Sequence, residues 1–64
     1  MTTERFVFTR WLEASEKMNN ASGKEHEYWL GKVTGYCEIL ADMNGITFIE
    51  ANRLLMNMRE EVAA

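Results

Sequence analysis

Twice in this chain a hydroxyl residue is followed three positions later by glutamate, just ahead of apolar residues at helical spacing: Ser22-Gly23-Lys24-Glu25 and Thr47-Phe48-Ile49-Glu50. Each reads as a capping box, in which the hydroxyl and the carboxylate satisfy backbone N–H groups that a helix start leaves without partners. Each follows a break suited to ending a helix, Asn19 to Ala21 in the first case and Asn44-Gly45 in the second. Asn and Gly tolerate the left-handed conformation that helix C-termini favour. The chain is therefore cut into three segments, and without proline none of them is interrupted.

Counted at about 100° per residue, each segment carries one apolar side. The first, about residues 4–18, gathers Val7, Phe8, Trp11, Leu12, Ala14 and Met18, with Glu4 and Lys17 placed to suit the helix dipole. The second, about 23–43, gathers Trp29, Leu30, Val33, Tyr36, Cys37, Leu40 and Ala41. The third, about 47–62, gathers Phe48, Ala51, Leu54, Leu55, Met58 and Val62. Phe6-Val7-Phe8-Thr9 also has strand character, but no second segment offers itself as a pairing partner. The expected fold is all-α: a single domain over 1–64, three helices, the last two forming a C-terminal hairpin.

A chain of 64 residues is short of core. Domains of this size bury only about 60% of their unfolded surface, and one such core supplies about 3–5 kcal/mol. The single cysteine, Cys37, excludes an intrachain disulfide, and with one histidine, His26, a closed zinc site is implausible. Self-association or partner binding is the support that remains, so a homodimer is expected. The lone cysteine, with no signal-peptide pattern and no membrane-length apolar run, points to the cytoplasm. Ten acidic against seven basic residues, net −3, lean against a phosphate-binding role.

The second helix carries Gly31 and Gly35, each costing about 1 kcal/mol relative to alanine. Both project away from the apolar face, in a groove bordered by Tyr28 and Ile39. Two readings are open: a central helix packed by its own neighbours on both sides, or a seam along Tyr28, Gly31, Gly35 and Ile39 where another backbone comes close. On the third helix Ile49 and Met56 project outward beside Asn52 and Arg53, the mixed composition of interface centres. Phe6, toward Arg10, Glu13 and Lys17, is a third outward apolar site. Of the five methionines, Met18 and Met58 are expected in the core.

Leu40 to Leu54 resembles a helix-turn-helix. Ala41 stands at the small position, Gly45 four later at the turn, and Ile46, Ala51 and Leu54 at positions normally buried between the two helices. The resemblance implies a DNA-binding regulator built on residues 33–58, with Thr47, Asn52 and Arg53 as contacts. Asn44 departs from it at a usually apolar place, and Phe48 and Ile49 stand where a recognition helix presents polar groups.

Catalysis has less behind it. Cys37 and His26 share a helix face but lie eleven residues apart, about 16 Å at 1.5 Å per residue. The carboxylates Glu25, Glu27, Glu38, Asp42, Glu50, Glu60 and Glu61 are spread along solvent faces. No cofactor loop or metal-ligand spacing appears, and a core this small can hardly enclose a substrate pocket. The sequence thus reads as a non-enzymatic, self-associating protein-binding module without cofactor, metal, membrane or small-molecule substrate. Its contacts are Tyr28, Gly31, Gly35 and Ile39, or Ile49, Arg53 and Met56; DNA binding ranks second.

Overall fold

In the computed structural model, which describes residues 2–63, three helices run in order: α1 (Thr3–Asn19), α2 (Gly23–Asn44) and α3 (Phe48–Ala63). No strand occurs among the described residues, and Phe6 to Thr9 lie within α1. Met1 and Ala64, the ends of the expected domain, lie outside the described residues.

Local chemistry sets each boundary. Thr2 caps α1, its Oγ1 accepting from the Arg5 N–H at 3.1 Å, while Glu4 and Lys17 sit at the dipole ends that favour them. Gly45 stops α2 in the left-handed region (φ 62°, ψ 35°), and its N–H and that of Ile46 both reach back to the Ala41 carbonyl. At the start of α3 the box at Thr47 closes reciprocally: the Glu50 N–H donates to Thr47 Oγ1 (3.1 Å), and the Thr47 N–H donates to Glu50 Oε1 (3.1 Å). The Thr47 hydroxyl itself donates to the same carboxylate at 2.9 Å. The box at Ser22 does not close: Ser22 is the N-cap of α2 but its side chain makes no capping bond. Gly23 follows it at φ 60°, which turns the backbone out of the path a capping box needs.

The core is Val7, Phe8 and Trp11 of α1, Cys37, Leu40 and Ala41 of α2, and Ala51 and Leu55 of α3. The first half of α1 thus meets the second half of α2, so the two helices run antiparallel and make the main interhelical contact. The rings of Phe8 and Trp11 stack at 6.2 Å, and Lys17 lies over the Trp29 ring at 5.0 Å at the other end of the pair. α3 joins through Ala51 and Leu55, through the Cys37 thiol donating to the Phe48 carbonyl at 3.6 Å, and through the Arg59 guanidinium 5.7 Å from the Trp11 ring centre. The indole N–H of Trp11 is buried without a partner. Leu40 and Leu55 are fully enclosed; truncating either to alanine would remove about 2–5 kcal/mol, comparable to all that a core this small supplies.

Three residues assigned inward by periodicity are exposed: Leu30 (46%), Phe48 (44%) and Val62 (58%). Phe48 opens α3 and Val62 lies in its last turn, where the neighbouring helices cover less of its length. Leu30 lies seven residues before Cys37, on the same side of α2, but is not among the residues packed against the core. Met18 and Met58 are half-buried, Met58 against the core. Ser15, which no apolar pattern marks, is buried.

Gly45 is required by its positive φ, and an L-residue there is strained by about 1–2 kcal/mol. Gly45→Ala should lower the thermal midpoint by several degrees in a calorimetric melt; an unchanged midpoint would show that the turn relaxes into another conformation. The Thr47 backbone and hydroxyl bonds, with a smaller contribution from Arg53, hold the Glu50 carboxyl below the ordinary carboxylate range. A depressed folded value means that this stabilisation is complete above the unfolded value and is lost as pH falls through the folded one. An NMR titration should therefore show Glu50 protonating below the ordinary carboxylate range, and Thr47→Ala, which removes the hydroxyl bond but keeps the backbone one, should bring it part of the way back.

Candidate interaction surface

The α1 contact uses one side of α2 and leaves the other to solvent. Cys37, Leu40 and Ala41 are buried, with Trp29, Val33 and Tyr36 half-buried around them. On the opposite side Tyr28 is 57% and Ile39 47% exposed, and between them lie Gly31, exposed, and Gly35, half-buried. The structure thus brings the four α2 residues marked in the sequence onto one outward face.

The two glycines separate the two readings of this helix. A Cβ built at Gly31 or at Gly35 meets nothing within 4 Å. Among the described residues nothing closes on these positions, so internal packing does not explain them. Their cost in helix propensity is uncompensated within the chain.

Tyr28 is held at the edge of this face by its neighbours. Its ring meets that of Trp29 edge-on at 5.0 Å, and Lys32 lies 5.5 Å from its centre. Beside it, between α1 and α2, Arg10, Glu13, Tyr28, Trp29, Lys32 and Tyr36 border an open cleft of about 180 Å³. Phe6, 50% exposed, carries Arg10 over its ring at 5.3 Å.

On α3, Ile49 is the most exposed large apolar residue at 70%, with Met56 at 37% and Asn52 and Arg53 exposed beside them. The residues marked for DNA contact divide. Asn52 and Arg53 are free on the surface, whereas the Thr47 hydroxyl is engaged twice by Glu50. The basic side chains of α3, Arg53 and Arg59, share the helix with Glu50, Glu60 and Glu61.

Cys37 is buried on α2, and burial, reinforced by the neighbouring Glu38 carboxylate, pushes its thiol pKa up. That is the reverse of what a nucleophilic cysteine requires. His26, eleven residues earlier on the same helix, is out of reach. Among the described residues no group of three or more His, Cys, Asp or Glu side chains is placed to hold a metal ion. No described helix is long and apolar enough to cross a membrane.

Because a methyl group at either glycine fits without contact, Gly31→Ala and Gly35→Ala should each raise the stability of the isolated chain by up to about 1 kcal/mol. Urea unfolding at high dilution measures this, and a loss of stability would reveal a close approach to these positions.

Comparison of the chain with known protein families, curated proteins and solved structures finds no match, so the meaning of this surface rests on its own chemistry.

Proposed function

We propose that this chain is a small non-enzymatic protein-binding module, an adaptor, regulator or inhibitor of a larger protein, that associates with itself through the outward face of α2. The observation that carries the reading is the pair of glycines with open space above them, flanked by exposed Tyr28 and Ile39. Glycines inside a helix make sense where another backbone must come close, and here that backbone must belong to another molecule. Aromatic and aliphatic side chains around a shallow groove supply the apolar centre that protein interfaces favour. The patch of Ile49, Arg53 and Met56 on α3 is a second contact available to a larger partner. A lone cysteine retained as a thiol suits work in a reducing compartment such as the cytoplasm.

DNA binding ranks second. In its favour are the left-handed turn at Gly45 and the half-buried Ile46 and Leu54, as the hairpin resemblance requires. Against it stand the committed Thr47 hydroxyl and the acidic balance of α3.

Gly35→Leu fills the groove while a leucine side chain extends into solvent in the isolated chain, so the helical circular dichroism should stay unchanged and association or partner capture should fall at least about tenfold. Wild-type association should vary little with salt, whereas DNA binding would collapse by orders of magnitude between about 50 and 200 mM. A Gly35→Leu chain that associates as the wild type does would remove the α2 face from consideration.

A further inference from the structure

The outward face of α2 is chemically complementary to its own reverse. Along it, at spacings of four, three, four, four and three residues, come Lys24, Tyr28, Gly31, Gly35, Ile39 and Asp42. Lys24, Tyr28, Gly31, Ile39 and Asp42 are exposed and Gly35 is half-buried. At about 100° per residue they fall within an arc of about 80°, on the side away from the core. A cation and an anion stand at the two ends, an aromatic and an aliphatic side chain one step in, and the glycines at the centre.

We propose that the occupant of this face is a second copy of the chain, with its α2 antiparallel to the first and the two-fold axis passing level with Val33, between Gly31 and Gly35. This rests on the reading of the α2 face as an association surface and specifies the partner. In that register Gly31 comes level with the other copy's Gly35 and Lys24 with Asp42, while Tyr28 and Ile39 face each other one residue, about 1.5 Å, out of level. Each contact is made twice, which is the isologous pattern of closed two-fold dimers. Aromatic and aliphatic side chains pack over the glycine gaps while the terminal charges pair at the rim. A parallel arrangement would instead set Lys24 against Lys24 and Asp42 against Asp42.

A second observation points the same way. Lys24 lies in the first turn of α2, where Glu25 offsets it, and Asp42 lies in the last turn, where no basic residue does. A cation at a helix N-terminus and an anion at its C-terminus oppose the dipole of their own helix. An antiparallel neighbour reverses the situation, because each charge then lies beside the opposite charge and the opposite end of the facing helix. One helix pair lies at the low end of stable interface sizes, so dissociation in the micromolar range is expected.

Charge exchange at the ends tests the register. Sedimentation equilibrium should show a wild-type dimer, weakened about five- to tenfold by Lys24→Glu and likewise by Asp42→Lys. The chain carrying both changes should regain most of the lost affinity, since the exchanged carboxylate and ammonium face each other again in the antiparallel dimer alone. Both positions are exposed, and circular dichroism confirms that the variants are folded. A wild-type chain that stays monomeric to millimolar concentration, or a dimer indifferent to the exchanges, overturns the proposal. In the latter case Gly35→Leu separates the two levels: if it still dissociates the dimer, the α2 face stands and only the register fails; if it does not, both fail.

Discussion

The packing of Val7, Phe8 and Trp11 against Cys37, Leu40 and Ala41 is the contact on which the other features depend. It spends the apolar side of α1 on one side of α2, and α3 adds Ala51 and Leu55 to the same cluster with Leu54 and Met58 packed against it. With both other helices gathered there, no element of the chain remains to pack on the far side of α2. That side, glycines included, faces solvent among the described residues. Scarcity of core and availability of surface are one fact here, and both favour association.

Much of the fold was legible because its determinants are local. Gly45 ends α2 through its own backbone conformation, and Thr47 and Glu50 start α3 through bonds spanning three residues. Such signals act whatever the rest of the chain does. The outward position of Gly31, Gly35, Tyr28 and Ile39 was legible for a similar reason, since the angular spacing of a helix follows from sequence spacing alone. Whether another element of the chain would cover them was not, and the open space above the glycines answers that.

What escaped the sequence depends on how far along its axis each helix is covered. Leu30, Phe48 and Val62 have inward angles but lie near helix ends or apart from the residues packed against the core, and they are exposed. Ser15 is buried by the approach of neighbouring helices and not by its own polarity. The Ser22 motif satisfies the pattern of a capping box, yet the positive φ of Gly23 decides the outcome. Trp11 brings a buried N–H with no acceptor, a cost set by which groups happen to surround the ring.

The same contrast divides the candidate functions. A helix-turn-helix is recognised by spacing, which Ala41 to Leu54 meet apart from Asn44, but of the three groups expected to contact DNA the Thr47 hydroxyl is engaged by Glu50 while Asn52 and Arg53 are exposed beside acidic neighbours. The most direct test follows backbone amide shifts by NMR through a dilution series of the unmodified chain. Changes concentrated at Tyr28, Gly31, Gly35 and Ile39 are the predicted result. Shifts that stay constant to millimolar concentration, or that move around Ile49 and Met56 while α2 is silent, would contradict the account.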